Sequence, residues 1–396
     1  MTTAEMKARD ASCVMQTYGR FDVAIDRGCG ATLYSPEGMK YIDFSSGIGV
    51  NSLGYGDEGW AGVVYEQAKK LQHISNLFYT EPYIALAETL TYRSGMKNVF
   101  FANSGAESNE GMIKLARKYS FDKYGAGRSR IVTLRQSFHG RTVTTLAATG
   151  QDVFHNYFFP FTEGFDYAIA NDMESVKATV TDETCAVMME LIQGEGGVLP
   201  LAHDFVEQVA ELCREKDLLL LIDEVQTGVG RTGSLFAFMQ YGIEPDVVSF
   251  AKGIAGGLPF GGFMANEKCA GVLTAGTHAT TFGGNPVCAA AAKYVLGRLD
   301  EEALKSVREK GEYIRDTVSS WGLGCVSGIR GMGLMIGVGL REGVSHKAMA
   351  QKCMDNGLLI LTAGSDTLRM LPPLTITREE IDAGLNILKN VLEGAK

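Results

Sequence analysis

Leu218-Leu219-Leu220-Leu221-Ile222-Asp223-Glu224-Val225-Gln226, followed by Val247-Val248-Ser249-Phe250-Ala251-Lys252-Gly253, decides how this chain folds. Each is a short unbroken apolar run that ends in polar residues. Unbroken rather than alternating apolar character fits a strand buried on both faces. Similar candidates stand at Asn98–Ala102, Arg130–Leu134, Cys185–Glu190 and Gly261–Ala265, with helical stretches at Ala106–Lys123 and Ala202–Lys216 between them. The first helix carries Asn109 and Glu110 early and Lys114, Arg117 and Lys118 later, an order that complements the helix dipole. Alternating strands and helices predict an α/β fold with a mainly parallel sheet covered on both sides. Outside this stretch, residues 30–44 read as a hairpin about the turn Ser35-Pro36-Glu37-Gly38. A long helix is expected from Pro286 to about Glu302, then a mixed α+β region with strands at Arg330–Val338 and Leu368–Leu371.

The two quoted runs also carry chemistry. Lys252 sits in a glycine-rich turn after one buried strand, and Asp223 ends another. A lysine amine can condense with an aldehyde. A carboxylate can hold a pyridine nitrogen protonated, so that the ring withdraws electrons from a carbanion. Together they are the pair that pyridoxal phosphate chemistry requires.

Composition sets limits. At 396 residues, 45% apolar and 21% charged, the chain suits a soluble protein of two domains. A net charge of −9 argues against a nucleic-acid partner. The 48 glycines exceed the usual share of about 7% and cluster at the motifs. Eight cysteines without a CxxC pair read as free thiols of a reducing compartment. The six histidines lack metal-ligand spacing, so no metal is expected. Residues 1–20 hold no apolar signal core, and no stretch is long and apolar enough to span a membrane. The expectation is a cytoplasmic protein.

Other motifs are read beside these. Asn103-Ser104-Gly105-Ala106-Glu107 follows a strand and opens a helix, where free backbone N–H groups suit a phosphate. Ser137-Phe138-His139-Gly140-Arg141-Thr142 offers an aromatic face for a flat cofactor and a guanidinium for a carboxylate. Glu190 and Glu195 flank one loop; an acid/base pair is conceivable, but solvated acids at a glycine-rich turn are the commoner outcome. Gly228-Val229-Gly230-Arg231-Thr232-Gly233 matches GxGxxG, yet Asp223 to Thr227 separate it from the strand and Ser234-Leu235-Phe236 follow instead of a clean helix start. A dinucleotide site is therefore rejected. Thr280-Thr281-Phe282-Gly283-Gly284-Asn285-Pro286 is a second plausible phosphate contact before a helix that proline initiates.

Taken in order, Asn103–Glu110, Ser137–Thr142, Gln193–Gly197, Asp223–Gly233, Ala251–Pro259 and His278–Pro286 resemble the class III aminotransferases of fold type I over nearly the whole chain. Tyr18–Phe21, Ser75–Pro82, Lys114–Tyr119 and Leu368–Leu374 support the resemblance. It implies the PLP-dependent transferase fold type I: a large domain at 50–285 with a mainly parallel sheet, and a smaller α+β domain from 1–49 and 286–396. Lys252 would carry pyridoxal 5′-phosphate, with Asp223 on its pyridinium, Gln226 on its ring hydroxyl, and Phe138 and Val225 on its two faces. Ser104, Gly105 and Ala106 would hold its phosphate, joined by Thr281 from the other subunit of a homodimer, and Glu190 would complete the cofactor set. Arg141 would hold the donor's α-carboxylate, and Arg369 that of 2-oxoglutarate, neutralised by Glu195 when the other substrate is bound. Tyr18 and Thr280 would line the substrate channel.

The implied reaction moves a terminal amine to 2-oxoglutarate, with N2-acetylornithine the leading donor. Succinylornithine, ornithine, succinyldiaminopimelate and 4-aminobutyrate share the motifs, and a silent binding protein on the same fold is the alternative of another class. Two departures stand out. Leu191 replaces a usual proline, and Gly54-Tyr55-Gly56-Asp57-Glu58 replaces the usual Gly-His-x-His-Pro, a change expected to reshape the entrance near Tyr55.

Overall fold

The computed structural model describes residues 1–395. Seven strands lie side by side in the order Asn98–Ala102, Gly261–Ala265, Val247–Phe250, Leu219–Asp223, Thr184–Met189, Arg130–Leu134 and Phe165–Ala168. The two quoted runs are neighbours: Leu221 pairs with Val247, Ile222 with Val248 and Asp223 with Ser249, in parallel. Gly261–Ala265 runs antiparallel to both strands beside it, so Asn98–Ala102 points the same way as the remaining five. Six strands thus end at one edge, where ligands bind in open α/β sheets.

The unbroken apolar runs have a direct cause in the packing. Ala186, Met188, Leu219 and Leu221 enter a core with Met112, Ile113 and Leu115 of the helix Gly105–Tyr124. Their neighbours Val187, Met189, Leu220 and Ile222 enter another core with Phe205, Val206 and Val209 of the helix His203–Glu215. Successive side chains of a strand point to opposite faces, so a sheet covered on both sides needs apolar residues at every position.

Beyond this sheet, Val326–Met332, Met335–Leu340, Thr367–Met370 and Leu361–Ala363 form an antiparallel sheet in that order. Gly337 pairs with Arg369 there. The expected N-terminal hairpin is present as Thr32–Tyr34 with Lys40–Asp43. It gains Arg27–Cys29 on one side and Leu358–Leu359 on the other, which ties residues near the N-terminus to the last 40 or so.

Three expectations change. The helix from Pro286 stops at Gly297, and Asp300 starts a separate helix, Glu301–Ser320, by accepting a hydrogen bond from the Ala303 N–H at 2.8 Å. The single strand expected at Arg330–Val338 is a hairpin, because Gly333 takes φ +52° and reverses the chain. Phe165–Ala168 is an edge strand that the sequence reading missed; its burial alternates only weakly.

The Gly228–Gly233 run forms consecutive turns and opens no helix; only the four-residue helix Phe238–Tyr241 comes later. It serves as a seat for the 333–334 hairpin turn. A Cβ on Gly333 would lie 2.5 Å from the Thr232 carbonyl carbon, and the Leu334 N–H donates to the Arg231 carbonyl at 3.0 Å. Arg231 itself is buried and donates to the Leu334 and Pro372 carbonyls at 3.0 and 2.5 Å. This loop therefore binds the sheet that carries Arg369 to the edge of the seven-stranded one.

Candidate active site

A cavity of about 420 Å³ opens at the common edge of the strands. Segments after five strands supply its wall: Asn103–Ala106, Phe138–Arg141, Glu190 with Glu195, Asp223 with Val225 and Gln226, and Ala251–Lys252. Ser104, Gly105, Ala106, Phe138, Arg141, Glu190, Glu195, Asp223, Val225, Gln226 and Lys252 all meet there, though they span almost 150 positions of sequence.

Asp223 is the most heavily bonded group of the floor, and only 3% of it is exposed. Its Oδ2 accepts from Asn109 Nδ2 at 2.7 Å and from His139 Nδ1 at 2.8 Å. Its Oδ1 accepts from the Val225 N–H at 3.0 Å. Ser249 Oγ approaches the same Oδ1 at 3.4 Å, and a buried carboxylate with this many donors is rigidly aimed. Asn109 and His139 were missed as functional residues. Both lie inside quoted motifs, yet nothing local tells that they turn inward to a residue 114 and 84 positions away.

Lys252 occupies the first position of a short 3₁₀ turn with φ +45°, a region non-glycine residues rarely adopt. Its amine makes no hydrogen bond or ion pair among the described residues. Loss of solvent around it pulls its pKa below the ordinary lysine value, although Glu195 acts in the other direction. Removal of solvent disfavours the charged form, so more of the amine is neutral and nucleophilic.

Ser104 caps the helix Gly105–Tyr124, its Oγ accepting from the Glu107 N–H at 3.2 Å. The N–H groups of Gly105 and Ala106 have no partner among the described residues, so two donors and the positive end of a helix face the cavity. Gly105 is required by close packing: a Cβ there would lie 2.6 Å from Val225 Cγ1. Glu190 lies beneath Phe138. Its carboxylate accepts from the Phe138 N–H at 2.8 Å and the Gly194 N–H at 3.1 Å, and burial pushes its pKa up. Neither Glu190 nor Glu195 is a solvated acid, contrary to the commoner reading of that loop; the first is buried under the Phe138 segment and the second is ion-paired.

The two arginines differ. Arg369 is 3% exposed and donates to Glu195 Oε1 at 2.6 Å and to Gln226 Oε1 at 3.3 Å. Burial alone would raise the Glu195 carboxyl, but Arg369 outweighs it and holds Glu195 below the usual carboxylate range. Arg369 Nε is buried without a partner. Such a donor costs free energy unless something accepts from it. Arg141 is exposed at the rim and has no carboxylate beside it; its guanidinium rests on aromatic rings.

Three expected site residues are not brought into this cavity. Tyr18 is 73% exposed, with Arg20 over its ring. Thr280 and Thr281 line a separate cavity with Ser75–Leu77 and Tyr83. Thr280 approaches only indirectly, its Oγ1 accepting from Asn103 Nδ2 at 3.2 Å. Tyr55 does not line the cavity either. Its hydroxyl donates to Asp43 Oδ2 at 2.8 Å and accepts from Asn51 Nδ2 at 3.3 Å, and Asp57 caps the helix Glu58–Lys70.

The chemistry of this donor set fits pyridoxal phosphate: a desolvated amine, a buried hydrogen-bonded carboxylate in the same cavity, an aromatic face and a helix N-terminus for the phosphate. Comparison with known proteins agrees. The family model "Aminotransferase class-III" matches residues 14–392. The acetylornithine aminotransferase of Haemophilus ducreyi is 50% identical over 99% of each chain. Among solved structures, an ornithine aminotransferase from Toxoplasma gondii, with partial pyridoxal phosphate at its active site, superposes with a TM-score of 0.94 at 29% identity, covering 99% of this chain and 94% of that one. The N-acetylornithine aminotransferase of Stenotrophomonas maltophilia superposes with a TM-score of 0.84 at 36% identity over 97% of each chain. Sequence, fold and site agree, and the chain belongs to the class III aminotransferases.

Proposed function

We propose that the protein is a pyridoxal-phosphate-dependent aminotransferase that moves the terminal amine of N2-acetylornithine to 2-oxoglutarate, giving N-acetylglutamate 5-semialdehyde and glutamate, a step of arginine biosynthesis. The observation that carries this reading is the contrast between the open Arg141 and the masked Arg369 at one cavity. The donor preference is supported by the relative at 50% identity.

When bound, pyridoxal phosphate supplies a sink for the electrons left as a C–H bond beside the amine is broken. Lys252 would carry it, Asp223 would hold a proton on its ring nitrogen, and Ser104, Gly105 and Ala106 would bind its phosphate. Phe138 and Val225 would press on its ring, and Gln226 and Glu190 would border it. Once free, the Lys252 amine is the group placed to take and return the proton at the carbon bearing the amine. Arg141 orients the donor through its carboxylate. The Glu195–Arg369 pair makes the inner wall neutral toward the donor. When the keto acid arrives, the pair opens and Arg369 meets the carboxylate.

This division of labour is testable by single-turnover rates of each half-reaction. Arg369→Ala should slow the 2-oxoglutarate half on the order of 10²-fold, by analogy with truncating a buried charge pair, and the donor half much less. Glu195→Gln should raise the first-half rate with glutamate. Running N2-acetylornithine beside succinylornithine, ornithine and 4-aminobutyrate ranks the donors. Equal losses in both halves would contradict the two-arginine reading, and a better donor would replace N2-acetylornithine.

We further propose a homodimer in the cytoplasm, with the division at 50–285 against 1–49 and 286–396 as two domains of each subunit. Leu77 and Tyr79 are 86% and 93% exposed on a loop beside Thr280–Gly283, and Asn76 ties the loops by donating to the Gly283 carbonyl at 2.7 Å. Phe282 adds to this apolar surface. Apolar surface of this kind supports burial against a second copy, with Thr281 given to the partner's cofactor and Tyr18 and Thr280 near the channel. The eight free cysteines fit a reducing compartment. Thr281→Val should loosen the cofactor several-fold while the fold stays intact. An inactive Thr281-loop variant mixed with inactive Lys252→Ala chains should recover some activity, since one site of a mixed dimer is whole. An active monomer by sedimentation, or no recovery after verified exchange, would count against the shared site.

A further inference from the structure

Arg141 is held by rings rather than by charge. Its guanidinium carbon lies 4.1 Å from the centroid of Phe154 and 5.4 Å from that of Phe138. The two rings meet edge to face at 74°, with centroids 5.9 Å apart, and form a corner around the cation. A guanidinium stacks through its flat face, while its N–H donors point outward along the edge. The corner therefore removes rotamers from an exposed arginine without using the donors that a carboxylate needs.

Phe154 ends the short 3₁₀ turn Asp152–Phe154, and that turn is anchored on both sides. The Gln136 N–H donates to the Gly150 carbonyl at 2.8 Å, and Gln151 Nε2 to the Ser137 carbonyl at 2.9 Å. His155 Nε2 donates to the Leu146 carbonyl at 3.1 Å. These bonds lock the Phe154 segment to the start of the Ser137–Arg141 loop and to the helix Val143–Ala148 after it. Phe138 borders the cavity and Phe154 does not, so the two rings can be separated experimentally.

We propose that Phe154 is the positioning residue that sets Arg141 for the donor's carboxylate, and so makes the site discriminate between amines that carry this carboxylate and amines that lack it. The inference rests on Arg141 as the donor-carboxylate group. Phe154 touches no reacting atom and acts through the arginine alone.

The test compares holoenzyme carrying Phe154→Leu, Phe154→Tyr or Arg141→Met with the natural protein. Two donors are used: N2-acetylornithine, and the same molecule with hydrogen in place of its α-carboxylate. Equilibrium binding of an N-acetyl amino acid without a terminal amine gives a second readout that needs no turnover. Phe154→Leu should raise the KM of the carboxylate donor and the Kd of the analogue about three- to tenfold, the scale of a lost cation–π contact at a partly exposed site. The KM of the decarboxylated donor should change less than twofold, and Phe154→Tyr, which keeps a ring, should behave as the natural protein does. Unchanged constants for the carboxylate donor, or equal losses with both donors, overturn the proposal. Phe154→Met takes the place of the leucine variant if that one does not fold. Arg141→Met should erase the preference between donors. If the preference survives Arg141→Met, the reading of Arg141 fails and Phe154 with it. If Arg141→Met erases it and Phe154→Leu leaves it untouched, only the role of Phe154 fails.

Discussion

Lys252→Ala should lower turnover by roughly 10⁴-fold or more while the protein stays folded. Removing this amine takes away both the group that carries the cofactor and the group that moves the proton, and positioned proton transfer alone contributes about 10²–10⁴-fold. The fold should survive because the amine makes no hydrogen bond or ion pair among the described residues, so its removal orphans nothing. It also removes a desolvated amine whose charged form burial disfavours. The alanine keeps φ near +45°, so the backbone strain at this position remains. Compared in their cofactor-free forms, the variant should thus melt at or above the natural protein, whereas the holoenzymes differ further by the cofactor each retains. The visible absorbance of the lysine–cofactor linkage should vanish, while the helix N-terminus at Ser104–Ala106 still retains some cofactor. Near-normal transamination without added amine would remove Lys252 from the mechanism.

Asp223→Asn should cost about 10²–10³-fold in kcat, the scale of losing a preorganised charge at a reacting centre, with little change in the KM of either substrate. The substitution is nearly isosteric, but it alters two things. It removes the charge that holds a proton on the cofactor's ring nitrogen. It also introduces an amide NH₂ where Asn109 Nδ2 and His139 Nδ1 both donate at 2.7 and 2.8 Å. Either the new amide meets donors with its own donor, or it flips and turns its NH₂ toward Val225 N–H. At least one buried donor loses its partner in either case, which destabilises the protein by about 1–3 kcal/mol. Stopped-flow rates for the donor half, read beside the melting temperature, separate the catalytic loss from the structural one. A variant with natural kcat would exclude Asp223 as the group that sustains the electron sink.

The parts of the site that were legible in the sequence share a property: each lies just past a recognisable strand. Ser104–Ala106, Phe138, Glu190, Asp223 and Lys252 follow apolar runs, and parallel strands bring such ends to one edge. Arg369 was reached by resemblance alone, since nothing in Leu368-Arg369-Met370 distinguishes a buried receptor from a solvated strand arginine. Asn109 and His139 were invisible for a related reason. A polar residue in the first turns of a helix, or in a loop, is usually solvated, and only strand order places these two beneath Asp223. Phe154 belongs to a turn in an aromatic-rich segment with no motif at all. Tyr18, Thr280 and Thr281 stay outside the cavity, so the roles proposed for them stand or fall with the proposed homodimer.

By itself, the sequence determined the alternation of buried strands and helices, the lysine and aspartate at two strand ends, the turn at Ser104–Ala106 that opens a helix, and membership of a family whose motifs occur in order. Tertiary structure alone decided that the helix after Pro286 breaks at Asp300, that Gly333 turns one expected strand into a hairpin seated on Thr232, that Asn109 and His139 bond to Asp223, and that Phe154 stacks on Arg141. The reason is the range of the forces involved. Apolar periodicity, capping and turn preferences act within a few residues and are written in the local chain. The Glu195–Arg369 bond spans 174 positions and the Asn109–Asp223 bond 114, and such contacts exist only after the order and register of the sheets have set which strand ends meet.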